Sequence, residues 1–216
     1  KWRVMLKDAT AVFGTPTLGW DGTVYIGAGT NLYAYDSLGE LKWKYGVVGN
    51  LVDPGIGGPL GGLGPTPVVG VGGTVYVGTD AGNLYAISPE GSSVWVRTFS
   101  SGITYASPAL GSNGNIYVGL FGSRVCAVDS NGVPLWTNSV GSSMVGSPVI
   151  GTNGMIYAVE SLNPAKLYVF NTNGTTNRVF QLAGANRSSP AIGTNGCIYV
   201  GSGNTLYCID PNAADP

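Results

Sequence analysis

The 216-residue sequence contains no histidine. That absence excludes zinc centres built on imidazole, Ser–His–Asp triads and Cys–His nucleophiles. Charge is scarce as well: Lys, Arg, Asp and Glu together make up 10% of the residues and leave a net charge of -1. No basic field exists to hold a phosphate backbone, so nucleic acid is excluded as a partner. The three cysteines, Cys126, Cys197 and Cys208, form no CxxC pair and no metal-ligand cluster. No apolar run reaches the roughly 18 residues of a membrane-crossing helix. The sparse charge, with Ser, Thr, Asn and Gly left to cover the surface, reads as extracellular or periplasmic.

The sequence is rich in glycine, with 36 residues, and 44% of it is hydrophobic, which argues against disorder. The length suits a single domain over residues 1–216. The glycines fall into a repeat. A (Ser/Thr)-Pro-x-x-Gly motif begins at Thr15, Thr66, Ser107, Ser147 and Ser189, and its prolines are spaced by 51, 41, 40 and 42 residues. The period is therefore about 41, with an insertion of about ten residues in the first unit.

Each motif runs into a tight-turn dipeptide: Asp21-Gly22, Gly72-Gly73, Asn113-Gly114, Asn153-Gly154 or Asn195-Gly196. These tolerate the positive φ of a hairpin. Short β-branched and aromatic runs follow, such as Val24-Tyr25-Ile26-Gly27 and then Leu32-Tyr33-Ala34-Tyr35 in the first unit. They read as strands. A fourth strand carries Trp43, Trp95 or Trp136, and Arg178 in the fourth unit. Four short antiparallel strands at a period near 40 predict an all-β propeller of five blades. The blades begin near residues 15, 66, 107, 147 and 189. A solenoid is the competing repeat architecture, but its rungs are usually shorter and lack this hairpin chemistry. The fifth unit has no fourth strand of its own, and residues 1–6 resemble Leu41-Lys42-Trp43-Lys44-Tyr45, so the N-terminal strand is expected to complete the last blade. The alternative is a fragment of a longer propeller.

The run Ala34, Asp36, Gly39, Trp43 recurs as Ala127, Asp129, Gly132, Trp136, and as Ala86, Gly91, Trp95 with Ser88 in the Asp place. It resembles the tryptophan docking motif of pyrroloquinoline-quinone-type (PQQ-like) propeller repeats. The fourth unit departs from it, with Val169, Asn171, Gly174 and Arg178, and the fifth has Cys208 and Asp210 and would borrow Trp2. The resemblance implies that Trp2, Trp43, Trp95 and Trp136 pack across blade interfaces, that the Ala leaves room for the indole, and that the Asp ties the turn. Catalytic members of that family hold a quinone with a calcium or lanthanide ion, metal-binding carboxylates and often an adjacent-cysteine disulfide. No Cys-Cys pair exists here and only 11 carboxylate side chains do. Neither a cofactor nor an enzyme activity is therefore expected. A hydrolase would need converging carboxylates, for which Asp53, Asp80 and Glu160 are the candidates.

Binding residues in repeat proteins tend to sit where the repeat breaks its pattern. Three positions before each motif proline stand Phe13, Gly64, Tyr105, Val145 and Arg187. Phe13, Tyr105 and Arg187 are candidates for the channel mouth, or else ordinary loop residues. The apolar insertion at 47–60, which contains Asp53, reads as a lid or a partner contact. A longer hairpin at 161–166 has Glu160 at its base. Cys197 and Cys208, on adjacent strands, are candidates for a disulfide or for two small buried thiols. The function expected is a non-catalytic scaffold binding a protein partner, with a lectin-like module binding glycan as the alternative and a quinoprotein dehydrogenase-related domain third.

Overall fold

A computed structural model describes residues 1–6, 12, 14–49, 51, 65–103 and 105–211. The first blade comprises β1 (Thr17–Leu18), β2 (Val24–Ala28), β3 (Asn31–Tyr35) and β4 (Leu41–Gly46). The second comprises β5 (Val68–Val69), β6 (Val75–Gly78), β7 (Asn83–Ile87) and β8 (Ser93–Thr98). The third comprises β9 (Ala109–Leu110), β10 (Ile116–Leu120), β11 (Arg124–Val128) and β12 (Pro134–Ser139). The fourth comprises β13 (Val149–Ile150), β14 (Ile156–Val159), β15 (Lys166–Phe170) and β16 (Thr176–Gln181). The fifth comprises β17 (Ala191–Ile192), β18 (Ile198–Ser202) and β19 (Thr205–Ile209). Each sheet is an antiparallel meander in chain order. The fold is thus an all-β propeller of five blades.

Local chemistry sets these hairpins. Gly22, Gly114, Gly154 and Gly196 in the first turn of their blades hold φ between +79° and +81°, the left-handed region that a Cβ disfavours. The preceding Asp or Asn folds back onto the chain: Oδ1 of Asn113, Asn153 and Asn195 accepts the N–H of Asn115, Met155 and Cys197 at 3.0–3.1 Å. In the turn between the third and fourth strands, Asp36 Oδ1 accepts from the N–H groups of Leu38 and Glu40, both at 2.9 Å. Asp129 does the same for Asn131 and Val133. Ser88 substitutes its hydroxyl at longer distances of 3.3 Å.

The core lies between the blades. Tyr25, Leu32 and Ala34 on the outgoing face of the first blade pack on Val75, Val77, Tyr85 and Ile87 of the second. The same arrangement joins the second blade to the third, the third to the fourth and the fourth to the fifth. In each of the first four blades the fourth strand slips register by one residue where it faces the third, as between Ala34 and Tyr35. Ala34 faces Trp43, Ala86 faces Trp95 and Ala127 faces Trp136. The small residue opposite and the bulge beside it let a bulky indole lean out of the sheet.

The fifth blade differs. Its sheet has three strands among the described residues, and residues 1–6 carry no strand ladder. Trp2 lies on the first blade, where its Nε1 donates to Ser37 O at 3.0 Å. Leu6 packs there too, against the incoming face made by Ile26, Tyr33 and Tyr35.

Candidate functional site

The motif Ser and Thr residues stand two residues before the innermost strands and link the blades. Thr66 N–H donates to Ser107 Oγ at 2.8 Å, Ser107 N–H to Ser147 Oγ at 2.8 Å, and Ser147 N–H to Ser189 Oγ at 2.9 Å. Thr17 Oγ1 donates to Pro67 O at 2.6 Å. A proline follows each motif Ser or Thr and brings no N–H of its own, so the residue before it supplies both donor and acceptor. The outer joints repeat equally closely. Trp43 Nε1 donates to Pro89 O at 2.7 Å, Trp95 to Ser130 O at 2.8 Å and Trp136 to Thr172 O at 2.9 Å. Each indole lies over a glycine of the next blade, Gly91, Gly132 or Gly174, where a Cβ would come within 2.5–2.7 Å of the ring.

The turns fall at two ends of the sheets. One carries the β2–β3 type of turn and the connections between blades. There the structure places Asp80, Tyr105, Glu160 and Arg187; Phe13 and Asp53 lie outside the described residues, as do 50 and 52–60 of the insertion. Asp80 stands beside Gly49 at the start of that insertion. Val47 and Leu51 are buried in the joint between the first two blades, and Val48 N–H donates to Tyr85 OH at 2.7 Å. This end of the insertion is a plug. Leu51 covers Gly27 as Ile103 covers Gly78 and Met144 covers Gly119. Tyr105 is half-buried and tilts against Phe121 with ring centroids 6.1 Å apart. Arg187 is exposed.

Glu160 is fully buried. Its Oε2 accepts from Tyr168 OH at 3.1 Å, and that hydroxyl in turn accepts from Gly141 N–H at 3.0 Å. The other oxygen, Oε1, has no partner. Burial, with the neighbouring carboxyl adding to it, raises the Tyr168 phenol. These candidates sit at different blades, and Glu160 is packed inside a joint rather than presented to a ligand. Among the described residues no cluster of three Cys, Asp or Glu side chains is suited to hold a metal ion. Among the described residues no helix is long and apolar enough to cross a membrane.

Cys197 and Cys208 are both free thiols. Cys208 faces Tyr199 in the ladder, so Cys197 lies on the diagonal. The hydrogen bond to Cys208 raises the Cys197 thiol, and burial adds to the shift.

The other end carries the β1–β2 and β3–β4 types of turn and holds residues that the repeat pattern did not single out. Trp20 is 90% exposed in the first turn of the first blade, and Val71 is 95% exposed at the same place in the second. The later blades have Ser112, Thr152 and Thr194 there. Leu38, in the neighbouring turn, and Leu18 are also exposed. The two turns of the first blade abut, since a Cβ on Gly22 would lie 3.9 Å from that of Ser37. Beside Trp20, the Asp21 carboxylate is held well below the ordinary range by the Thr23 hydroxyl, the Thr23 N–H and Lys42. The Lys42 ammonium is 3.0 Å away. The column of residues at 20, 71, 112, 152 and 194 was the sequence signal for this patch.

Comparison with known proteins places the chain. The family model described as outer membrane protein assembly factor BamB matches residues 1–213. No curated protein matches the sequence. Among solved structures, BamB from Moraxella catarrhalis superposes with a TM-score of 0.65 at 20% identity, over 88% of this chain and 58% of that one. The chain thus spans less than two-thirds of that protein. A streptogramin B lyase superposes at 0.69 and 15% identity, over 95% of this chain and 67% of the other. Virginiamycin B lyase from Staphylococcus aureus gives 0.65 and 14%, over 92% and 70%. At these identities the likeness is one of fold.

Proposed function

The chain belongs to the family of the outer membrane protein assembly factor BamB, and from that premise we propose that it is a non-catalytic propeller that binds a protein partner in the periplasm or at the cell exterior. The observation that carries this reading is the exposed apolar group on one end of the first two blades: Trp20, Leu38, Val71 and Leu18. Large apolar side chains grouped at a surface mark protein contacts, and Trp is the residue type most enriched at their energetic centres. The later blades keep polar residues in the same turn, so the feature is not a requirement of the fold. The catalytic lyases among the structural neighbours share the fold, and their chemistry does not transfer at 14–15% identity.

The exposed Trp20 ring also suits stacking on a sugar, which keeps a glycan ligand as the second reading. Affinity capture from a cell-envelope extract separates the two, using the wild type beside a Trp20→Asp/Val71→Asp variant. The proposal expects a discrete protein retained by the wild type and lost by the variant at an unchanged melting temperature. Capture unaffected by the substitutions, or binding to a glycan array alone, overturns it.

A further inference from the structure

Glu160 occupies a place that the other blades fill with a residue of no charge. The fifth residue from the start of each blade's second strand is Ala28, Thr79, Leu120, Glu160 or Ser202. All five are 0–2% exposed. Ala28 and Leu120 are apolar and need no partner. Thr79 Oγ1 donates to Val48 O at 3.1 Å, and Ser202 Oγ donates to Gly184 O at 2.9 Å. Both hydroxyls thus give their hydrogen to a carbonyl of the segment that enters their blade.

An ionised carboxylate has no hydrogen to give and cannot make that bond. The entering segment nonetheless lies against the fourth blade in the same way. Gly141 N–H donates to Tyr168 OH at 3.0 Å, as Val48 N–H donates to Tyr85 OH and Ala183 N–H to Tyr207 OH, both at 2.7 Å. Gly141 and Ser142 are therefore the counterparts of Val48 and Gly184. A Cβ on Gly141 would fall 2.6 Å from Glu160 Oε2 and 3.2 Å from Oε1, so the whole carboxylate abuts that backbone. Ser142 Oγ and Ser161 Oγ, each one residue along, stand 3.4 Å apart. Tyr168 gives one hydrogen to Oε2, and Oε1 receives none. Glu160 N–H donates to Lys166 O across the hairpin, but the two side chains form no ion pair. A buried charge is ordinarily paired or bound to a metal ion, and an orphaned buried oxygen calls for a specific partner.

We propose that Glu160 Oε1 binds an alkali-metal cation, sodium or potassium, together with carbonyl and serine oxygens of the entering segment at 141–143. The ion takes the place of the hydrogen that Thr79 and Ser202 present to their own entering segments. Carboxylate, carbonyl and hydroxyl oxygens are ligands for hard cations. One carboxylate among neutral oxygens balances one positive charge. A divalent ion usually draws on several carboxylates, and Glu160 belongs to no such cluster among the described residues. The ion is enclosed as the joint packs, so it needs no open mouth. It ties the segment entering the fourth blade to the hairpin at 160–166. This site lies at the end of the blades opposite Trp20 and does not depend on what the apolar group there binds.

The test is thermal unfolding of the 216-residue chain, with sodium or potassium chloride titrated against N-methyl-D-glucamine chloride at constant total salt. The organic cation is too large for a buried site. The midpoint is expected to rise by about 3–5 °C for each tenfold increase in sodium or potassium above its dissociation constant. The salt with the larger response names the ion. Glu160→Gln and Glu160→Ser are expected to abolish the dependence. Glu160→Ser carries the residue that the fifth blade has at this place and can donate to the entering carbonyl, so it provides a folded variant even where the amide does not fit. A wild-type midpoint that is the same in all three salts overturns the proposal, because a proton or a water then serves Oε1. A sodium or potassium response kept by a folded variant overturns it as well, because the ion then sits elsewhere.

Discussion

Gly132→Ala and Gly114→Ala form a matched pair in one blade that isolates the contribution of a joint. Both glycines hold left-handed φ, +76° and +81°, so a new Cβ costs each about 1–2 kcal/mol. Their surroundings differ. A Cβ at 114 meets nothing closer than Ser130 Cβ at 4.0 Å, whereas at 132 it falls 2.7 Å from Trp95 Cδ2 and 2.8 Å from Cε3. Trp95 cannot withdraw, because its Nε1 is tied to Ser130 O at 2.8 Å and its ring packs on Tyr76 at 5.8 Å. Overpacking of this kind adds about 1–3 kcal/mol, so the total for Gly132→Ala is about 2–5 kcal/mol. Urea unfolding followed by tryptophan fluorescence measures both. In a Trp95→Ala background the excess should vanish and Gly132→Ala should cost no more than Gly114→Ala. Equal costs in the parent, or an excess that survives removal of the indole, refute the reasoning.

Two further perturbations address other contacts. Ser147→Ala removes the acceptor of Ser107 N–H and is expected to lower stability by about 1–2 kcal/mol in the same titration; a neutral result removes the inner hydrogen-bond chain from the account. Asp21, held below the ordinary carboxylate range first by the Thr23 hydroxyl, releases its proton more readily in the folded chain than in the unfolded one. Its contribution is therefore complete above the unfolded value and lost as pH falls through the lower folded value. Exposure at this site keeps it under about 1 kcal/mol. Asp21→Asn should be less stable than wild type at neutral pH and approach it as the pH drops below about 4, and a difference that does not change with pH contradicts this.

The architecture was legible because it is written five times. The spacing of the motif prolines, the Asn-Gly turns and the β-branched runs give the period, the strand order and the blade count without reference to any long-range contact. The residues that vary within the repeat were harder to place. Glu160 stands out in sequence as a carboxylate at an irregular hairpin, yet the chain turns it inward onto Tyr168, and only packing shows that. Trp20 was hidden for the opposite reason. It sits in a turn rather than in the docking column that draws attention to Trp43, Trp95 and Trp136, and its exposure depends on no residue beside it in sequence. The exposure of Leu206 was likewise out of reach, because Leu206-Tyr207-Cys208-Ile209 has the same pattern as the buried Leu84-Tyr85-Ala86-Ile87. Burial there is decided by what comes next in space.

Blades joined face to face are the central feature of this fold, and native thiol labelling tests it directly. Cys126 is buried in the joint between the second and third blades, and burial raises its thiol, keeping it protonated and unreactive. Cys208 is exposed. With dilute native protein and a maleimide, read out by mass mapping, the account predicts modification of Cys208 while Cys126 remains untouched until the chain unfolds. Labelling of Cys126 in the native chain as readily as Cys208 contradicts it, because the joint between the second and third blades would then be open.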